Sequence, residues 1–276
     1  MQGASRDSLA LLREQVPTDG DLTTLSQELF AVVSLLSGYG SLRRAMSDPA
    51  SAPTTKVHLV EQLFGDKVGP QTLELLRAAA RSRWSQPIDL LDALEELGVD
   101  AALAVAQNAD QLDEVDDELF RFGRILEADL DLRTVLTDRQ LPAETKSRLL
   151  HTLLDGKVTA VTFELLQRAV NEPRGRTIEH ALRELSVLAA RRREQLIAHV
   201  TSAVALSDDE VRDLSAALMR TFGYDIQIQA VVDPSLIGGV TVRVGDEIID
   251  GSVARQLDEA RRRLTGRSGT RPNRAA

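Results

Sequence analysis

The sequence contains an ungapped internal repeat with a spacing of 90 residues, as between Asp48 and Asp138, and this repeat limits the possible folds more than any other pattern in the chain. Short runs recur at this spacing: Leu42-Arg43 as Leu132-Arg133, Thr55-Lys56 as Thr145-Lys146, Lys67-Val68 as Lys157-Val158, and Glu74-Leu75-Leu76 as Glu164-Leu165-Leu166. Two unrelated amphipathic helices would share mainly Leu and Ala, whereas this repeat also matches charged residues. The pattern predicts duplication of one domain. Two long copies are too few for an open solenoid, so we expect two similar globular bundles.

Both copies have the apolar spacing of helical bundles. The helical positions are Leu22, Leu25, Leu29, Val32, Val33 and Leu36 in the first copy, and Leu112, Val115, Leu119, Phe122 and Leu126 in the second. Aromatic residues make up only 3% of the chain, so the core must be aliphatic, which favours helix-on-helix packing. We expect about six helices in each copy. The last helix of the first copy is predicted to begin at Ile88 and to break at Gly98.

The sequence changes character after about Gln195. β-branched runs separated by turn signals predict a small sheet packed on two helices, in the order β-α-β-β-α. The last of these helices is predicted from Val253 to Leu264. The fold class is therefore mainly α, with two homologous helical bundles followed by a small α/β domain. The predicted domains are residues 1–98, 99–195 and 196–264, and residues 265–276 form a basic tail whose composition indicates disorder.

Composition argues against most kinds of chemistry. The net charge of −9 opposes binding to nucleic acid, and the absence of cysteine excludes disulfides, thiolate metal sites and Cys nucleophiles. The four histidines lack the spacing of a metal-binding helix, and no apolar run approaches the roughly 20 residues of a membrane span. We therefore predict no catalytic residue, no metal, no cofactor and no small-molecule substrate. The function class that remains is binding to other proteins through the surface of the chain.

Glycines and acidic residues near the C-terminus are predicted to form backbone turns. Gly238-Gly239 precedes a strand instead of a helix and has no following Lys-Ser/Thr, so it fits a turn better than a phosphate-binding loop. Asp246 and Asp250 flank a hairpin turn at Gly245, where Asp and Gly are ordinary turn residues. The basic runs at 191–193 and 261–263 fit helix ends that complement the helix dipole, with a docking surface for an acidic partner as the second interpretation.

The C-terminal segment resembles the delta subunit of F-type ATP synthases, the family of the oligomycin-sensitivity-conferring protein. The resemblance is carried by 233–240 (Asp-Pro-Ser-Leu-Ile-Gly-Gly-Val), by 242–246 (Val-Arg-Val-Gly-Asp) and by 249–253 (Ile-Asp-Gly-Ser-Val), and it extends back to about Ala101. The first hundred residues are extra, as in the long delta subunits of high-GC Gram-positive bacteria. The signature positions expected to shape turns are Gly238, Gly239, Gly245, Asp246, Asp250, Gly251 and Ser252.

The resemblance implies a non-catalytic stator subunit that ties the catalytic head to the peripheral stalk and resists rotational torque. Its implied partners are the N-terminal helix of an alpha subunit and the C-terminal region of the b subunit. It would lie at the cytoplasmic face of the cell membrane and reach the membrane only through the complex.

In the family, the alpha helix docks between the first and fifth helices of the helical domain. Carried over by position, this groove is lined by Ala102, Val105, Ala106, Glu164 and Arg168. Where the family's first helix has an aromatic residue, this chain has Gly98, and its first copy has Ser8. Either copy is therefore a candidate for binding the alpha helix, and the extra copy could instead bind a second alpha subunit or the stalk.

Two other interpretations rest on the residues alone. The repeat by itself would fit a generic helical adaptor with no tie to ATP synthase. The small α/β domain would fit a nucleic-acid-binding module, although the negative charge opposes it.

Overall fold

The computed structural model describes residues 1–250 except 2, 18–19, 195–196, 223–225, 234–235, 237–238 and 246. The helices are α1 (Ala4–Arg13), α2 (Leu22–Gly38), α3 (Gly40–Ser47), α4 (Pro53–Phe64), α5 (Pro70–Arg81), α6 (Pro87–Asn108), α7 (Leu112–Ala128), α8 (Leu130–Thr137), α9 (Ala143–Leu154), α10 (Ala160–Asn171), α11 (Ile178–Glu194) and α12 (Asp208–Phe222). The strands are β1 (Ile197–Ser202), β2 (Gln227–Val232), β3 (Val240–Val244) and β4 (Glu247–Asp250). The chain divides into a helical unit, Met1–Ala190, and a second unit from Arg191 onward.

The helix bounds repeat with the sequence. Helices α2 to α5 recur as α7 to α10, each displaced by the same 90 residues, as from Leu22 to Leu112. The apolar positions predicted from the spacing are all buried in α2 and in α7. The prediction of two homologous helical bundles is confirmed.

One pair of repeated charged residues, Glu28 and Glu118, is explained by contacts at helix starts. Both carboxylate oxygens of Glu28 accept hydrogen bonds from the Gly69 backbone N–H at 2.8 and 2.9 Å, just before α5. Glu118 accepts from the Thr159 N–H at 3.0 Å in the equivalent place before α10. A carboxylate at a helix N-terminus satisfies free N–H groups and complements the helix dipole. The repeat therefore preserves these acids because each one fixes the start of a helix.

Helix α6 corrects one sequence prediction. The helix was expected to break at Gly98, but it continues from Pro87 to Asn108, through the predicted boundary between residues 98 and 99. Its neighbours Leu97, Val99 and Ala101 are buried, so burial outweighs the roughly 1 kcal/mol cost of a glycine inside a helix. Because α6 occupies the place of the last helix of the first copy and of the first helix of the second, the two copies share it.

The core of the first copy is aliphatic, as the composition predicted. Leu12, Leu25, Leu36 and Leu76 are among its fully buried side chains, and Leu94 of α6 packs with them. Trp84 lies buried at the junction between α5 and α6, and its indole N–H donates to the Ala79 carbonyl at 2.8 Å. Helices α2 and α6 form the most extensive helix–helix contact in this core.

The second unit contains a four-stranded sheet in the order β2-β1-β3-β4. Strands β1 and β2 are parallel and are connected by α12, whereas β3 is antiparallel to both β1 and β4. The spacing of Ser207 and Glu210 in the sequence predicts a capping box, and the two residues form it at the start of α12. Strand β4 follows the Gly245 turn and adds one strand to the predicted order. The predicted helix Val253–Leu264 and the tail lie outside the described residues.

Candidate partner-binding site

The five residues of the predicted alpha-binding groove lie on two neighbouring helices, α6 and α10. Ala102 and Ala106 are buried at 2% and 0% exposure, and they belong to the interior of the helical unit. Val105 and Glu164 are half-buried, whereas the Arg168 side chain is only 9% exposed. The structure therefore brings α6 and α10 together as expected, but it leaves the two alanines no open surface.

The Phe30 side chain of the first copy covers α6 at Gly98, next to the predicted alpha-binding groove. The ring of Phe30 on α2 lies against Gly98, where an added Cβ would stand 2.7 and 2.9 Å from two ring carbons. The guanidinium carbon of Arg168 stands 4.3 Å from the centre of the same ring, in cation–π geometry. Ser26 on α2 also donates to the Gly98 carbonyl at 2.8 Å. An aromatic ring does occupy this place, but it comes from α2 and not from α6.

Three arginines of the second copy, Arg168, Arg174 and Arg176, surround the carboxylate of Glu95 on α6; we call them the arginine cluster. Arg176 donates to both oxygens of Glu95 at 2.9 and 2.7 Å. Arg174 Nη2 lies 3.1 Å from Glu95, and Arg168 Nε lies 3.6 Å from it. Further carboxylates that pair with the cluster are Asp92, Glu172 and Glu184. This ion network ties the second copy to α6.

The fold of the repeat does not require the arginine cluster. At the same spacing of 90 residues, the first copy has Ala78, Trp84 and Gln86 in place of the three arginines. Arg174 also adopts a left-handed backbone conformation with φ of +47°, which is uncommon for a residue other than glycine. The cluster is therefore specific to the second copy. Sequence reasoning identified only Arg168, because an arginine in a polar loop gives no signal of its buried partners.

Three of the signature turn residues, Gly239, Gly245 and Asp250, lie in the part of the second unit that the structure describes. Gly239 and Gly245 have positive φ values of +86° and +55°, which side chains disfavour. Asp250 ends β4. Gly238, Asp246, Gly251 and Ser252 lie outside the described residues.

Burial raises the pKa of the Glu164 carboxyl above its ordinary value of 4.5, against an opposing effect of Arg168. Burial also lowers the pKa of Arg168. A carboxyl with a raised pKa in the folded state favours folding while it is protonated, and this contribution is lost as pH rises through the folded pKa.

We therefore expect Glu164→Gln to be as stable as the wild type near pH 4.5, and more stable at about pH 7.5, where the wild type holds a half-buried charge. Urea unfolding at both pH values measures the difference. A variant less stable than the wild type at the higher pH would show that the ionised carboxylate contributes to the fold. Exposed Glu144→Gln on α9 is the matched control.

The fold defines a mainly helical scaffold protein with a small α/β domain. Residues 99–264 match the family described as ATP synthase delta (OSCP) subunit. The chain is 47% identical over 271 residues to the ATP synthase subunit delta of Streptomyces griseus, covering 96% of this chain and 100% of that one. It is 45% identical to that of Acidothermus cellulolyticus and 44% identical to that of Thermobifida fusca, covering 96% of this chain and 99% and 100% of theirs.

The chain belongs to the ATP synthase delta (OSCP) family. It is accordingly a non-catalytic subunit of the stator of an ATP synthase, as predicted, and the generic adaptor is set aside. Among solved structures, a chain of the Toxoplasma gondii mitochondrial ATP synthase hexamer matches with a TM-score of 0.30 and 18% identity, over 60% of this chain and 94% of that one. None of the described helices has the length and apolarity of a membrane span.

Proposed function

We propose that this chain connects the catalytic head of an ATP synthase to the peripheral b stalk at the cytoplasmic face of the cell membrane. The N-terminal helix of an alpha subunit would bind the helical part, and the C-terminal region of b would bind the α/β domain. Resistance to torque is the physical task, because proton flow drives ATP synthesis only if the head is kept from turning with the rotor.

The observation that supports this proposal is the near-complete coverage of relatives named ATP synthase subunit delta, 96% of this chain and 100% of the Streptomyces griseus protein. The sharing of α6 supports it physically. A single helix of 22 residues belongs to both copies, so bending at their junction would have to break a buried helix. We propose that residues 1–98 and 99–195 act together as one stiff element and that 196–264 forms the second contact.

The alpha-binding surface is proposed at α6 and α10. Of the residues carried over from the family, Val105 and Glu164 keep exposed surface and would contact the alpha helix directly. Ala102 and Ala106 would support them from within the core, and Arg168 would lie at the edge of the contact. The role of the first copy as an additional contact for alpha or for the stalk belongs to the same proposal.

Reconstitution tests this function. Membrane vesicles stripped of their delta subunit should hydrolyse ATP without pumping protons, and adding this chain should restore ATP-driven proton pumping measured by quenching of a pH-sensitive dye. Residues 1–190 alone are the control, since they lack the proposed contact with b and should not restore pumping. Unchanged pumping before and after removal and return of the chain would refute a stator role.

A further inference from the structure

A small pocket opens in the second copy, where α8, α9, α10 and α11 come together. Its volume is about 260 Å³, and its lining residues come from these four helices and from the loops that join α8 to α9 and α10 to α11. Part of its wall is made of buried apolar side chains, Leu136, Val170 and Ile178. An apolar wall lowers the local dielectric, so charges in the pocket interact more strongly than charges on the open surface.

The polar wall of this pocket is basic. Four cationic side chains line it: Arg133, Arg139, Lys146 and Arg176. Two of them have carboxylate partners, because Arg133 lies 3.7 Å from Glu179, and Arg176 donates to Glu95 and Glu184. The other two, Arg139 and Lys146, form no ion pair within the part of the chain that the structure describes. The pocket is therefore a local concentration of positive charge on a chain whose net charge is −9.

Lys146 is the residue that needs a partner. It is only 6% exposed, yet its ammonium group has no hydrogen-bond acceptor among the described residues. A buried ammonium without a partner is costly. The first copy meets the same need within the chain, since its counterpart Lys56 donates to the Ser82 carbonyl at 3.4 Å. In the second copy, the residue in place of Ser82 is Glu172, and its carboxylate accepts from Ser34 instead.

We propose that this pocket binds a phosphate group, whose oxygens accept hydrogen bonds from Lys146, Arg139 and Thr177. The Thr177 hydroxyl accepts from the His180 N–H at 3.2 Å, so its own proton is available for a bound anion. The first turn of α11 also lines the pocket, and a helix N-terminus favours negative charge. Hydrogen bonds from cations to an anion are charge-assisted and stronger than neutral ones.

The size and the donors of the pocket select this ligand class. Its volume of about 260 Å³ is below the roughly 300–1,000 Å³ of pockets that hold organic ligands, so it has room for a small ion with its water and not for a nucleotide. The donors come from the α8–α9 loop, from α9 and from the start of α11. A tetrahedral anion can accept from all of these directions, whereas a carboxylate has only two oxygens. The stator role makes no use of this pocket, so the inference stands independently of the proposed function.

The test is a titration of inorganic phosphate with the full chain, followed by phosphorus NMR. We expect a Kd of about 1 mM, and binding of acetate at the same ionic strength that is weaker by at least about tenfold. Glycerol phosphate distinguishes two sources of the group. Equal affinity for it would identify the phosphate end of an ester, such as a lipid headgroup, whereas tighter binding of inorganic phosphate would identify the free ion.

Lys146→Met locates the binding, because it removes the ammonium group and keeps an unbranched side chain of similar length. It should weaken phosphate binding by at least about tenfold. In buffer without phosphate, the variant should unfold in urea no earlier than the wild type, since it also removes a buried charge that has no partner. Lys56→Met in the first copy is the matched control and should leave phosphate binding unchanged.

A second pair of variants changes exposed residues, so that the fold is not at risk. Arg139→Gln should weaken phosphate binding by about threefold, as expected for an exposed charge. Arg148→Gln removes the same charge from an exposed position on α9 outside the pocket, and it should leave the affinity unchanged.

Three results would each overturn the inference. The first is binding of phosphate that is no tighter than binding of acetate. The second is a Lys146→Met variant that folds and binds phosphate as the wild type does. The third is an equal loss of affinity in Arg139→Gln and Arg148→Gln, which would show that phosphate responds only to the general surface charge.

Discussion

Replacing Glu95 by Gln should lower the free energy of unfolding by about 3 kcal/mol, the largest effect of any single polar substitution that we expect in this chain. Glu95 is 8% exposed, and among the carboxylates that the structure describes it alone lies against all three arginines of the cluster. The variant keeps the size of the side chain but leaves buried guanidinium groups without their central counter-charge. Urea unfolding followed by circular dichroism measures the loss.

Glu74→Gln on α5 is the control for Glu95→Gln. Glu74 pairs with Arg77 and Arg81, but its side chain is 57% exposed. Its replacement should therefore lower the free energy of unfolding by less than about 1 kcal/mol. Added salt should weaken the exposed pair and leave the cost of Glu95→Gln largely unchanged. Similar small losses for the two variants would mean that the arginines rearrange or gain water, and that the ion network does not hold the second copy to α6.

Gly98→Ala should destabilise the protein by roughly 1–3 kcal/mol, although alanine is normally the better residue in a helix. The added Cβ would lie 2.7 and 2.9 Å from ring carbons of Phe30. That ring is itself held, since it is 6% exposed and Arg168 stacks over it. Relief would therefore require a shift of α2 relative to α6. The same unfolding assay applies.

Gly123→Ala is the matched control, because Gly123 is also inside a helix, α7. Its added Cβ would stand 3.9 Å from the nearest atom, the Cδ1 of Leu182, in ordinary contact. Because the added Cβ meets no clash, only the greater helix preference of alanine changes the stability. The free energy of unfolding of this variant should therefore rise by roughly 0.5–1 kcal/mol. If Gly98→Ala were also stabilising, Phe30 would be free to move and the tight contact between α2 and α6 would not exist.

Features whose causes lie within one helix or one turn, or in a match between two segments, could be predicted from the residues alone. The buried positions of α2 and α7 followed from apolar spacing, the start of α12 from the Ser207–Glu210 capping box, and the duplication from the recurrence at 90 residues (position 48 to position 138). Each of these depends on side chains a few residues apart, or on a match between two segments, and both can be read along the chain.

The contacts at the place where the two copies meet could not be predicted from the residues alone and are seen first in the folded structure. In the sequence, Gly98 predicts a helix break. In the structure, the ring of Phe30 lies against Gly98 and leaves no room for a side chain there, although Phe30 is 68 residues earlier in the chain (98 − 30). Arg174 and Arg176 read as loop residues until Glu95 is found between them. The physical reason is the same in both cases: contact between surfaces distant in sequence sets the energy, and a periodic pattern carries no information about which distant residue supplies the partner.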